Sequence, residues 1–302
     1  MKKILILLSV FFVISPLTYG DSISLNLDND VIADTDRHYT HGTRVQYTVN
    51  KAPLFLVDAF PNRQMASIVA VAQHMYTPSD TAIPDLMPND RPYGGWLYLG
   101  LAFEARDDKQ MDFIEVDCGI TGSCSQSEKV QKLVHSWIGS QDPKGWQYQI
   151  GTTVGFNFIY QKKYRQRFEL SDTVGFDLIS HGGGCLGNIY TYLNYGGMLR
   201  FGYNIPDDFG FRRMEPTSRR LSDIGGYLFL DVDSRIVARN IFLDGYKSHS
   251  VSKESVVNDL GLGAAVVLWN WEIVYSYNIR TKEFEMQQEN NRFGTVVVVR
   301  KF

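Results

Sequence analysis

Ile23-Ser24-Leu25-Asn26-Leu27-Asp28, answered by Arg44-Val45-Gln46-Tyr47-Thr48-Val49, alternates apolar and polar side chains at every step. That period of two belongs to a strand with one greasy and one wet face, not to a helix. Reading outward from these stretches gives twelve strand-type segments parted by Gly, Asn, Asp and Pro clusters. They run over residues 22–30, 41–49, 66–75, 95–106, 111–118, 147–160, 167–179, 188–203, 226–238, 255–268, 271–280 and 293–302. Many reach ten residues or more, which suits a tilted membrane crossing better than an ordinary sheet. The count is even, and the last segment, Gly294-Thr295-Val296-Val297-Val298-Val299-Arg300-Lys301-Phe302, closes on an aromatic of the kind that outer-membrane assembly reads. The predicted fold is all-β: an antiparallel transmembrane β-barrel of about 12 strands over residues 21–302.

Met1-Lys2-Lys3 and the apolar run Ile4 to Ile14, followed by Pro16 and the small residues near Gly20, read as a signal peptide over residues 1–20. The run is too short to span a bilayer as a helix. The 17 Tyr and 18 Phe suit interfacial girdles, and a net charge of −3 argues against a nucleic-acid partner. Cys118, Cys124 and Cys185 permit at most one disulfide; close spacing favours Cys118 with Cys124, while Cys185 could replace either. One segment breaks the strand rule. From Ser125 to Gly139, Val130, Leu133, Val134, Trp137 and Ile138 recur at helical spacing, with Ser125 and Glu128 in a capping-box pattern and Gly139 as a stop.

With both chain ends in the periplasm, the loops after odd-numbered strands face the cell exterior. The unusual polar clusters fall in or beside the first three of these loops. They are Asp28-Asn29-Asp30 with Asp36 through Gly42, Tyr76-Thr77-Pro78 with Asn89 through Tyr93, and Gln131 with His135 on the helix. Asn29 shares the parity of Ile23, Leu25 and Leu27 and so points to the lipid side, where an amide is costly; Asp30 takes the opposite parity, toward lumen or rim. His38 and His41 read as exposed loop residues; taken alone, Asp36 reads as a solvated loop acid and His135 as a packed or solvated imidazole, whereas solvation is not the favoured reading of Asp30. No Gly-x-Ser-x-Gly elbow, Cys-x-x-Cys or His-x-x-x-His pair is present, so any chemistry must be assembled from separate loops.

At these residues, and at Gln73, Gly145-Trp146-Gln147-Tyr148-Gln149, Gly187-Asn188 and Val237 through Gly245, the chain resembles the outer-membrane lipid A deacylase family over nearly all its mature length. The resemblance implies a twelve-stranded barrel in the cell outer membrane. It also implies calcium-dependent (Ca2+) removal of the 3′-linked acyloxyacyl chain of lipid A within lipopolysaccharide, by a chain for which a monomer is plausible. It further implies His135 as the general base, Asn29, Asp30 and Thr40 in the catalytic site, Asp30 and Thr40 as calcium ligands, and Gln131, Tyr76 and Arg91 in substrate binding. The pattern departs at Gln141, where an acidic residue is expected, and in the run Ser79 to Asp90, which lacks a basic one. The alternatives are an outer-membrane phospholipase and a non-catalytic barrel.

Overall fold

The structure, a computed structural model, describes residues 21–30, 37–51, 58–210 and 224–302. The expected signal peptide and Asp36 lie outside the described residues. Twelve strands follow in order: β1 (Ser22–Asn29), β2 (His38–Val49), β3 (Gln64–Thr77), β4 (Gly94–Arg106), β5 (Gln110–Thr121), β6 (Val154–Glu169), β7 (Val174–Gly187), β8 (Tyr190–Tyr203), β9 (Ile224–Asn240), β10 (Val256–Leu268), β11 (Trp271–Arg280) and β12 (Asn291–Lys301). Each pairs antiparallel with its sequence neighbours, and β1 pairs with β12 to close the barrel. Closure leaves no unpaired strand edge, the only sheet arrangement that satisfies every backbone group in hydrocarbon.

The period-two pattern survives as an inside and an outside. On β4, Trp96, Tyr98 and Gly100 face the lumen while Leu97, Leu99 and Leu101 face out. On β2, Arg44, Gln46 and Thr48 are buried and Val45 is exposed. Two expected segments were misplaced. The sixth strand was expected from 147, yet Trp146–Tyr148 is a 3-10 turn and β6 runs from Val154 to Glu169. The seventh was expected over 167–179, but β7 continues through Gly182-Gly183-Gly184 to Gly187. Arg165, which looks like loop, is a strand residue, and Arg167, expected to open the seventh strand, belongs to β6, where it forms a two-bond fork with Asp177 of β7 at 2.7 and 2.9 Å.

Luminal charges are answered by one another. Arg44 meets Glu115 at 2.7 Å, and fully buried Arg200 bonds Asp177 at 2.7 Å and Asp208 at 2.5 Å. Residues 204–210, following β8 at the periplasmic end, fold back into the lumen. There Phe209 packs with Ile68, Ala102, Met111 and Phe113, and Arg165 donates to the Asp208 carbonyl at 2.6 Å. A polar cavity of about 190 Å³ remains in the lumen, lined by residues such as Arg44, Glu115, Asp117 and Arg280. At the outer mouth a single helical turn, Ile241–Asp244, is capped by the Asn240 side chain, and its Phe242 stacks on Tyr76 with ring centroids 4.5 Å apart.

The expected disulfide is not formed; all three cysteines are free. Cys118 projects outward from β5, which continues to Thr121, whereas Cys124 sits in the following 3-10 turn, Gly122–Ser125. The extended chain after 118 covers about 10 Å in three residues, more than the roughly 7 Å between Cα atoms that a disulfide can bridge. The loop helix is present as α1 (Ser127–Ile138), and Gly139 ends it in the left-handed region with its N–H on the His135 carbonyl. The capping box does not form. Gln126 is the N-cap, Ser125 Oγ donates to the Gly122 carbonyl at 2.6 Å, and Glu128 pairs with Lys132 at 2.8 Å.

Candidate functional site

The strand register lays a level row across the outside of the wall. Asn29 on β1 is opposite His41 on β2, His41 opposite Met75 on β3, and Met75 opposite Gly95 on β4. All four lie on the outward parity. Asn29 is half-buried there, flanked on its other side by Gly294 of β12. The expectation of an amide on the lipid side of β1 therefore matches its place in the sheet.

α1 lies on this row. Its buried residues are Ser127, Gln131 and His135, one polar line at i, i+4 and i+8 turned to the wall. Gly95 makes the approach possible: a Cβ at this position would collide with the Ser125 and Ser127 hydroxyls. One strand over, the outward Gln73 donates to the Ser125 carbonyl at 2.6 Å. Val130 packs on the buried group Met75, Tyr93 and Trp146. The helix thus begins over β4 and passes β3 within its first turn.

Two contacts set the polar line. Trp146 Nε1 donates to Gln131 Oε1 at 2.8 Å, and Gln131 is buried. His135 Nδ1 lies 2.5 Å from the Gln141 carbonyl. A carbonyl only accepts, so Nδ1 carries the hydrogen and Nε2 is the proton-accepting nitrogen of the neutral ring. The departure at Gln141 acquires a different meaning here, because the backbone, not the side chain, orients the imidazole.

Beyond the end of β1, Asp30 is fully buried. Its N–H donates to the Thr40 carbonyl at 3.3 Å, and Oδ2 accepts the Arg37 N–H at 2.7 Å. Thr40 is the extra residue of a β-bulge between Tyr39 and His41, and its hydroxyl lies 2.6 Å from that of Thr77. The bulge sets the Thr40 carbonyl on the Asp30 backbone N–H and the Thr40 hydroxyl on that of Thr77. His38 and His41, expected in a loop, belong to β2, and His38 is buried against Phe284. Among the described residues no three His, Cys, Asp or Glu gather as a metal cluster. The groups that could serve as ligands here, the Asp30 carboxylate with the Thr40 carbonyl and hydroxyl, are oxygens. That chemistry fits a hard cation such as calcium better than a soft one.

Tyr76 and Arg91 lie elsewhere. Tyr76 points into the lumen, hydrogen-bonded to Tyr190 at 2.7 Å, and Arg91 lies over its ring at 4.4 Å. Arg91 also pairs with Glu283 at 3.0 Å. Both are buried in the barrel mouth, on the opposite side of the wall from Gln131 and His135. Burial alone would raise the Glu283 carboxyl, but Arg91 and Arg280 outweigh it and hold it below the ordinary range. Sequence reasoning had not singled out Gly95 or Trp146 as site-builders. Gly95 carries no chemistry of its own, and only the Gly94-Gly95 pair at a strand start hints at a close approach.

The family described as outer membrane protein LpxR matches residues 4–302. The chain belongs to that family. It is accordingly an outer-membrane barrel of the lipid A deacylase family that the sequence resembles. Among solved structures, LpxR from Salmonella typhimurium is similar with a TM-score of 0.80 and 20% identity, covering 93% of this chain and 100% of that one. The β domain of the Bordetella autotransporter BrkA follows at a TM-score of 0.49 and 9% identity, covering 94% and 99%. No curated protein matches the sequence.

Proposed function

We propose that this LpxR-family barrel hydrolyses an acyl ester of lipid A, removing the 3′-linked chain at the outer leaflet, with His135 as the base that takes a proton from water. The observation that carries the reading is the buried imidazole. It is turned against the outer wall, and its Nδ1 is committed to the Gln141 carbonyl, which leaves Nε2 as the nitrogen that can accept a proton. Reach supports it as well. Eight residues of helix rise about 12 Å from Ser127 to His135, and the three strand spacings from β4 back to β1 amount to about 14 Å. A helix that starts on Gly95 and crosses Met75 is therefore long enough to carry His135 toward Asn29.

In this reading Gln131, fixed by Trp146, keeps α1 in its turn and contacts substrate; the Asn29 amide donates to the ester oxygen as charge develops on it. Asp30 and the Thr40 oxygens would hold calcium. Bound there, the ion would supply positive charge that stabilises the oxyanion. Tyr76 and Arg91, sealed inside the mouth, form no part of this substrate path. A pore is disfavoured by the plug of residues 204–210, and nothing in the site favours a glycerophospholipid ester.

The test is mass spectrometry of lipid A from cells producing the chain. Loss of an acyloxyacyl unit is expected, abolished by chelating calcium and reduced at least about 100-fold in His135→Ala. Unchanged lipid A with well-folded barrel in the outer membrane would end the proposal.

A further inference from the structure

α1 has three longitudinal faces. Ser127, Gln131 and His135 meet the wall; Glu128, Lys129 and Lys132 form a charged row; Leu133 and Trp137 form an apolar row yet are 49% and 44% exposed. Successive residues turn by about 100°, which puts the charged and apolar rows on the two flanks of the wall-facing line. In a helix packed on a protein core the apolar row would be the buried one. Here the polar row is buried and the greasy row is left outside.

We propose that this exposed flank is immersed in the hydrocarbon chains of the outer leaflet, so that α1 is an interfacial helix lying against the barrel, its charged row among the headgroups. The helix lies at the edge of an interface already present. Periplasmic to the footprint of α1 on Gly95 and Met75, Leu99 and Leu101 of β4 and Val69 and Val71 of β3 are exposed on the lipid-facing wall. From Gly95 to Leu99 the strand advances about 13 Å, close to the roughly 10–12 Å width of a helix, so α1 lies about one helix width from the exposed belt. Two side chains are too few for a second protein, since a stable partner covers about 800 Å² per side. Tryptophan is also the residue favoured where hydrocarbon meets headgroup. If the hydrolase reading holds, immersion presents the His135 line at the depth of an acyl ester; the inference itself uses no ester chemistry.

The experiment is depth-dependent quenching in the full-length protein folded into phosphatidylcholine vesicles. Trp96 and Trp146 are buried, so Trp269→Phe with Trp271→Phe leaves Trp137 as the exposed indole. Subtracting the same protein carrying Trp137→Phe isolates its emission. That emission is expected to fall about twofold or more when the acyl chains are brominated, and to resist aqueous iodide, as burial several ångströms into the acyl boundary requires. Quenching by iodide without quenching by bromine would overturn the proposal in favour of solvent. Protection from both would overturn it in favour of a protein partner or a second copy. Leu133→Trp, added to the double-Phe protein, reads the same flank without removing Trp137 and serves if the triple variant does not fold. Quenched Trp137 in a protein that leaves lipid A unchanged would sink the hydrolase reading alone; an active protein with iodide-accessible Trp137 would sink this one alone.

Discussion

The lumen and the patch of outer wall beneath α1 are both polar, but they are polar for different reasons. Inside, charge answers charge: Arg200 holds Asp177 and Asp208, Arg44 holds Glu115, and Arg280 forks onto Asp259 at 2.7 and 2.9 Å. Such pairs fill a space that twelve strands necessarily enclose. Outside, polar groups stand on faces that elsewhere carry Leu and Val. Asn29 follows Leu25 and Leu27, Gln73 follows Val69 and Val71, and Ser127, Gln131 and His135 are pressed against the same wall. An inward polar residue in a barrel is the default, whereas an outward one that is buried under a second element marks a place where stability gives way to function.

The widest separation between the two regions should come from Arg200→Met. Removing a buried ion-pair partner takes the cation from Asp208 and leaves Asp177 to Arg167, and costs about 3–5 kcal/mol of stability. Denaturant unfolding should show that loss, while deacylation per folded molecule stays the same; a proportional fall in specific activity would mean that lumen and outer patch are coupled. Gly95→Leu should behave in the opposite way. The side chain faces outward, so the barrel still closes, but α1 is pushed off the wall and lipid A turnover drops about 100-fold, as displacement of an aligned catalytic group does. Unaltered turnover would show that α1 need not touch β4. Trp146→Phe keeps the packing on Met75 and Tyr93 but removes the hydrogen bond to Gln131, worth about 1–1.5 kcal/mol, so turnover should fall about tenfold. Loss of stability without loss of turnover would assign Trp146 to packing only.

The smallest effect concerns the mouth. The Glu283 carboxyl is held below its ordinary range when folded, so its pairing contributes stability at pH values above the unfolded carboxylate value of about 4.3. That contribution is lost as pH falls through the folded value. Hydrogen exchange around Arg91 should therefore quicken in strong acid and not at neutral pH, and Glu283→Gln should erase the difference. Exchange that ignores pH in the native protein would remove the ion pair from the account of the mouth.

How far these regions could be read in advance follows the range of the interactions. Alternation in β1 and β2 identified the barrel because pleat parity is local, and it put Asn29 on the outer face for the same reason. Gln131 and His135 were recognisable as one line because i and i+4 always share a helix face. Ser125 and Glu128 misled, since a tight 3-10 turn ahead of α1 took the serine hydroxyl for itself. The charged run at Lys162, Lys163 and Arg165 hid the true course of β6, because a partner such as Asp207 comes from the segment after β8, far along the chain.

Local periodicity by itself determined that this chain makes a closed, amphipathic sheet and that His135 rides a helix inserted in one of its outer loops. Only the tertiary structure decided on which side of the wall each polar cluster lies. Tyr76 and Arg91 went to the lumen, Gln131 and His135 to the outside. That choice depends on strand register and on the missing Cβ of Gly95, contacts between residues far apart in the chain that no window of sequence contains.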